Sequence, residues 1–280
     1  TGSAESPMPA RLSLKRWARR QRVCALATLL ALVLLGLDRL FPLPAAAWPD
    51  SPVRRPLEAV VVLAEDGTPL RYWPGADGAM RHRVTLEQVS PLYVEALLQY
   101  EDRAFWWHPG VNPAALVRAA WQWMRAGQVV SGGSTLTMQV ARLLDPECAD
   151  RQRNLQTCAT RSVGAKMRQM VRALQLEWHL SKREILTLYL NEAPMGGMVE
   201  GVEMAAQSYL GKSARDLSHA EAALLAALPQ SPSRLRPDRH PALAQAARDK
   251  VLDRLVSQGV WSAAQVQDAK LEKDRKSTRL

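Results

Sequence analysis

The chain has 280 residues, 47% of them hydrophobic, with a formal net charge of +10. That length carries one sizeable core plus accessory segments. Half of the positive excess precedes residue 23, and beyond it no recognition-helix, zinc or stacking motif is present, so the charge does not point to nucleic acid; the three cysteines, Cys24, Cys148 and Cys158, show no metal-ligand spacing.

Arg11, Lys15, Arg16, Arg19, Arg20 and Arg22 stand against Glu5, and residues 23–37 then run without a charge until Asp38-Arg39. Read as a membrane anchor, this stretch leaves its basic end in the cytoplasm and exports the rest. Ala45-Ala46-Ala47 keeps a cleaved signal peptide open as the alternative. Residues 42–56, rich in proline and alanine, read as a stiff linker. Ala59-Val60-Val61-Val62-Leu63 and Leu70-Arg71-Tyr72-Trp73 flank Asp66-Gly67 and predict a hairpin.

Helical periodicity takes over from Leu86. Ser90 can cap a helix, Pro91 fits its first position, and Leu92, Ala96, Leu97 and Tyr100 form its apolar stripe. The helix stops at Glu101-Asp102-Arg103-Ala104-Phe105-Trp106-Trp107-His108-Pro109-Gly110. A carboxylate at a helix end walled by aromatic rings suits a general base; the same residues also suit a capping and ion-pair knot. Asn112 or Pro113 opens the next helix, through Leu116, Val117, Ala120, Trp121 and Met124. Gly132-Gly133-Ser134-Thr135 then leads into Leu136-Thr137-Met138-Gln139-Val140-Ala141-Arg142-Leu143-Leu144, a turn and helix start that can cradle an anion or simply cap. Cys148 and Cys158 flank an insertion that a disulfide could close in an exported region. A helix over residues 162–180 carries Val163, Met167, Met170, Val171, Leu174 and Trp178 along one side, and residues 240–270 form two short helices around Gly259. Tryptophans and methionines at helical spacing are expected mostly in the core.

Together, the stretches at 101–110 and 132–144 resemble the first two motifs of the peptidoglycan glycosyltransferase domain of class A penicillin-binding proteins. Met138-Gln139, in place of two glutamines, is similar to the 1C branch of that family. The resemblance continues, in the family's order, through Leu180-Ser181-Lys182-Arg183-Glu184-Ile185-Leu186-Thr187-Leu188-Tyr189-Leu190-Asn191-Glu192 and Ala220-Glu221-Ala222-Ala223-Leu224-Leu225-Ala226-Ala227-Leu228-Pro229-Gln230-Ser231-Pro232-Ser233.

The resemblance implies a mainly α, lysozyme-like glycosyltransferase domain, with a short hairpin and a retained transmembrane helix near the N-terminus. The division it suggests is a cytoplasmic tail at 1–22, an anchor at 23–41, a linker and hairpin at 42–85 and the catalytic domain at 86–275. The family's transpeptidase half is expected in a longer protein, because neither a Ser-x-x-Lys tetrad nor a Lys-Thr-Gly occurs and Lys276-Ser277-Thr278-Arg279-Leu280 departs from the family. By resemblance, the substrates are lipid II and a lipid-linked glycan, and the place is the bacterial inner membrane, single-pass, with the catalytic domain periplasmic. Other cell-wall synthesis proteins are candidate partners. No cofactor is required, and Mg or Mn would sit at the pyrophosphate.

Glu101 occupies the family's base position. Asp102 and Arg103 are expected to orient it, with His108 and Asn112 shaping the pocket. Ser134, Thr135, Thr137, Gln139, Arg142 and Lys166 are expected to bind phosphate or sugar, and Glu192 to brace the acceptor. Gln169 stands where many relatives carry glutamate. An amide cannot act as an acid, which argues against a lysozyme-like hydrolase. A lytic enzyme acting on finished glycan and a non-catalytic lipid II scaffold remain the competing readings.

Overall fold

The computed structural model describes residues 10–40, 42–48, 60–63, 65, 69–126, 133–145 and 163–272. Cys148, Cys158, the Asp66-Gly67 turn, Gly132 and the last eight residues lie outside them. The chain falls into two compact units, divided between Leu43 and Pro44.

The first unit is a single helix, α1 (Ala10–Leu40). Its window Arg20–Leu40 is long and apolar enough to cross a membrane, and none of it is buried in protein. At 1.5 Å per residue this window is about 30 Å long, matching a hydrocarbon core. The helix therefore begins well before the uncharged run.

The second unit is mainly α, as expected. Its centre is α8 (His219–Ala227), whose residues 222–227 are all buried. Four of those six residues are alanine, and such small side chains let helices approach closely. Against α8 pack α2 (Pro91–Glu101), α9 (Pro241–Ser257) and α10 (Ala263–Leu271). A second group is formed by α4 (Leu136–Leu143) against α5 (Val163–His179) and α6 (Lys182–Glu192), with α3 (Pro113–Ala126) following α2. Capping boxes at Ser181/Glu184, Ser218/Glu221 and Ser262/Gln265 start α6, α8 and α10, each contributing about 1 kcal/mol. Gly259 adopts φ +70° between α9 and α10, as a chain break requires.

The expected hairpin is present as β1 (Val60–Leu63) antiparallel to β2 (Pro69–Trp73), with Val61 opposite Tyr72. A second sheet was not foreseen. In it β3 (Met80–Arg81) runs parallel to β5 (Val199–Glu200), which pairs antiparallel with β4 (Pro194–Gly196). Charge ties this sheet to α6. Buried Arg81 bridges Glu200 at 2.5 Å, Asp77 at 2.7 Å and Glu192 at 3.4 Å. After β5 comes one turn, α7 (Val202–Ala205), which widens into a π-helical turn over Ala206–Leu210.

Three expectations are corrected. Ser90 precedes α2, but its side chain does not cap the helix. The residue is buried, its N–H donates to Ala214 O, and its hydroxyl faces Leu217 O at 3.5 Å. On α5 the buried residues are Ala173, Gln175 and Leu176, while Met167 and Trp178 are exposed, so the helix faces the protein along a different edge from the predicted stripe. Most described tryptophans lie at the surface. Trp48, Trp73, Trp106, Trp107, Trp121 and Trp178 are exposed, and Trp261 is buried with its indole N–H on Glu95 at 2.7 Å.

Candidate active site

The two carboxylates that end α2 have separate surroundings. Asp102 breaks the helix with φ −156° and is buried. Its Oδ2 accepts from the Leu136 N–H at 2.8 Å, one of the free donors that open α4, and His108 Nε2 donates to it at 2.9 Å. A negative charge at a helix N-terminus is favourable. Asp102 thus fastens the end of α2 to the start of α4.

The loop between them is held from several sides. Thr135 caps α4 through the Met138 N–H at 3.1 Å and donates to Gly110 O at 2.5 Å. Gly110 sits at φ +87°, and a Cβ there would come within 2.6 Å of Ala173 O, so only glycine fits. Lys182 donates to His108 O at 2.7 Å and to Glu177 at 2.6 Å, and lies 4.5 Å over the Phe105 ring. Thr137 Oγ1 donates to the same Glu177 oxygen at 2.6 Å. Asn112 caps α3 through the Ala115 N–H at 3.1 Å.

Glu101, one residue before Asp102, is half-buried and held by two amides. Gln139 Nε2 donates to Oε2 at 2.8 Å and Gln230 Nε2 donates to Oε1 at 2.9 Å. Each amide is turned by a tyrosine, since Tyr189 Oη donates to Gln139 Oε1 at 3.5 Å and Tyr100 Oη to Gln230 Oε1 at 3.2 Å. Burial first, and the negative charge of Glu101 second, raise the pKa of Tyr93, Tyr100 and Tyr189, so all three remain neutral phenols near neutral pH. The array reads Tyr100–Gln230–Glu101–Gln139–Tyr189, with every donor pointing toward the carboxylate.

Cations lie close by. Arg142 is exposed in the last turn of α4. Lys166, half-buried on α5, donates to Ser134 Oγ. Burial and then the positive charge of Arg142 lower the Lys166 pKa, as expected where like charges crowd. Tyr189 feels both Glu101 and Arg142. Glu101 and Arg142 are therefore both within electrostatic reach of one phenol, and Lys166 within reach of Arg142.

The predicted site thus divides. Glu101, Ser134, Gln139, Arg142 and Lys166 gather with free or flexible polar capacity. The side chain of Gln169, one turn beyond Lys166 on α5, makes no hydrogen bond among the described residues. Asp102, Asn112, Thr135 and Thr137 each hydrogen-bond within the protein, as does His108 through Nε2, while His108 Nδ1 is buried without a hydrogen-bond partner among the described residues. Arg103 is exposed and makes no ion pair among the described residues; two glutamines, rather than Asp102 and Arg103, hold Glu101. Glu192 ends α6 between Arg81 and Arg83, each at 3.4 Å, and braces the small sheet. The knot anticipated at the end of α2 is present at Asp102, beside the carboxylate of Glu101.

Gln230 was the residue missed. It sits 129 positions from Glu101, and the one local signal is a polar side chain set between Pro229 and Pro232 after an alanine-rich helix.

Comparison with known proteins agrees with this geometry. A family model described as Transglycosylase matches residues 66–256. Penicillin-binding protein 1C of Escherichia coli is 57% identical over 244 residues, covering 87% of this chain and 29% of that protein. Penicillin-binding protein 1A of Aquifex aeolicus is 38% identical over 189 residues, covering 68% and 24%. Penicillin-binding protein 1A of Pseudomonas aeruginosa is 37% identical over 199 residues, covering 71% and 22%. The chain spans less than a third of the length of these curated relatives.

Proposed function

This chain belongs to the transglycosylase family, and from that premise we propose that it polymerises lipid II into glycan strands, with Glu101 as general base. The carboxylate takes the proton of the acceptor sugar hydroxyl as that oxygen attacks the anomeric carbon of the lipid-linked donor. The bond from that carbon to the pyrophosphate breaks, and undecaprenyl pyrophosphate leaves with the electron pair. Glu101 then returns its proton to solvent.

The observation that carries this reading is the pair of amide donors on Glu101. An ionised carboxylate accepts at both oxygens and has no donor to place, whereas a protonated carboxyl keeps only part of that acceptor capacity and finds no acceptor for its hydrogen in two amide N–H groups. The cradle suits a base. A lytic, lysozyme-like enzyme needs an acid at this position, together with a second carboxylate or substrate assistance, and Gln169 supplies no carboxylate.

Arg142 and Lys166 would receive the departing pyrophosphate. Arg142 offers a planar, bidentate fork, and an arriving anion would offset the burial and the Arg142 charge that disfavour the Lys166 ammonium. Ser134, Gln139 and Gln169 remain as sugar or phosphate contacts. A divalent cation, where used, would be carried by the pyrophosphate itself; no cofactor enters the steps above. The helix holding Arg20–Leu40 would anchor the chain once in the bacterial inner membrane with the catalytic unit periplasmic, where the lipid-linked substrate is within reach. Partners in wall synthesis would be met on that side.

Incubation with labelled lipid II tests the reading. The chain should yield polymer, and Glu101→Gln should lose it by roughly 10²–10⁴-fold, the range of general base catalysis. Sugar fragments released from finished glycan without a lipid-linked donor would favour the lytic enzyme. Binding without polymer would favour the scaffold.

A further inference from the structure

Glu101 is gripped by two glutamines carried on different elements, and one of them has no other reason for its place. Gln139 comes from α4, inside the family's hydroxyl-rich motif. Gln230 comes from the 3₁₀ turn Leu228–Gln230 that continues α8. This turn is rigid: Leu228 is fully buried, Pro229 fixes its own φ, and the Ser231 N–H closes it onto Leu228 O at 3.1 Å. Gln230 itself is exposed, so packing does not account for a glutamine here. Its amide makes two bonds, donating to Glu101 Oε1 at 2.9 Å and accepting from Tyr100 Oη at 3.2 Å. Tyr100 and Glu101 both lie on α2, and α2 packs directly on α8. A packed helix pair therefore sets the position of donor and carboxylate together.

Resting on the assignment of Glu101 as base, we infer that Gln230 is a positioning residue of polymerisation, holding one oxygen of Glu101 so that its remaining lone pair faces the acceptor hydroxyl. A carboxylate offers about four acceptor sites, and the two amides occupy one on each oxygen. Rotation of the group about its last bond would break both hydrogen bonds at once. The Tyr100 hydroxyl fixes which end of the Gln230 amide faces Glu101, because a neutral phenol donating to Oε1 leaves the NH₂ pointing at the carboxylate.

Three substitutions of Gln230 in the full chain separate positioning from a structural role, with kcat and KM for lipid II measured for each. Gln230→Lys keeps a donor and should hold kcat within about threefold of the unmodified chain. Gln230→Leu removes the donor and should lower kcat about tenfold, in line with a partly exposed hydrogen bond to a charged group. Gln230→Glu keeps the shape but sets a like charge beside Glu101, and should lower kcat about a hundredfold. KM should stay within about twofold throughout, since the contact is to the base and not to substrate. Unchanged kcat in all three variants, or an equal loss in all three, would overturn the inference. If the unmodified chain makes no polymer, or Glu101→Gln still does, the base assignment fails and takes this inference with it; polymer from the unmodified chain alone, with no charge ordering among the three, sinks only the role of Gln230.

Discussion

Glu101 has an amide donor on each oxygen, and each amide is oriented by a tyrosine, whereas Lys166 and Arg142 set two positive charges against each other. The first arrangement is complete before any substrate arrives. The second crowds like charges that an arriving anion would relieve. The proposed transfer from a pyrophosphate-linked donor would need both conditions: a base that does not reorganise when it acts, and cations whose interaction with the leaving group strengthens as charge develops on it. The same contrast divides Glu101 from Asp102. One carboxylate keeps free acceptor capacity at the surface, while its neighbour is consumed in joining α2 to α4.

The largest expected effects test that division between neighbours. Glu101→Gln removes the base while leaving a shape that fits the same space, so activity falls by roughly 10²–10⁴-fold and the melting temperature stays within about 2 °C. Asp102→Ala does the reverse at the level of the fold. It leaves His108 and the Leu136 N–H unpaired in a buried site, which costs about 2–4 kcal/mol. For a domain of this size that lowers the melting temperature by roughly 5–15 °C. A calorimetric scan of both variants checks the comparison, and loss of stability in Glu101→Gln would erase it.

A smaller effect tests the cation side. The folded pKa of Lys166 is depressed, so the unfolded chain holds that proton more tightly than the folded one. The resulting penalty is fully present at neutral pH and fades as pH rises from the depressed value toward 10.5. Lys166→Met should therefore raise the melting temperature at pH 7 by about 1–2 °C, and the gain should close above about pH 10. Inorganic pyrophosphate should stabilise the unmodified chain at pH 7 and do so far less in Lys166→Met. A variant that melts lower at pH 7, or that keeps the full response to pyrophosphate, would mean Lys166 is a structural lysine.

Much of the fold is legible in the sequence because its signals are local. Pro91 marks the start of α2, Gly259 the break between α9 and α10, and the run Val60-Val61-Val62-Leu63 the hairpin. The second sheet is not legible. Strands of two or three residues carry no periodicity, and β3 meets β5 across more than a hundred residues through the Arg81–Glu200 bridge. Glu101 was legible from its place at a helix end. Its surroundings were not, since Gln230 and Tyr189 come from elements whose approach depends on packing around α8 and α4. Nor does the sequence show which polar residues of the motifs are already bonded within the protein, as Thr135 is to Gly110 O, Thr137 to Glu177 and Asn112 to the Ala115 N–H.

The smallest expected effect probes how far the order around Glu101 extends outward. Tyr100→Phe removes the hydroxyl that orients Gln230 and leaves the ring in place under Arg254, whose guanidinium lies 5.2 Å from the ring centre. Without that donor the Gln230 amide can turn its oxygen toward Glu101, an unfavourable pairing that the amide avoids by rotating into solvent. The hydrogen bond is 3.2 Å long and partly buried, so its loss should lower kcat about threefold, at the weak end of the usual range for a neutral bond. Combining Tyr100→Phe with Gln230→Leu should add nothing to the loss from Gln230→Leu alone, because the tyrosine acts through the glutamine. If the two losses multiply instead, Tyr100 influences Glu101 by a separate route, and the chain of donors ends at the amide.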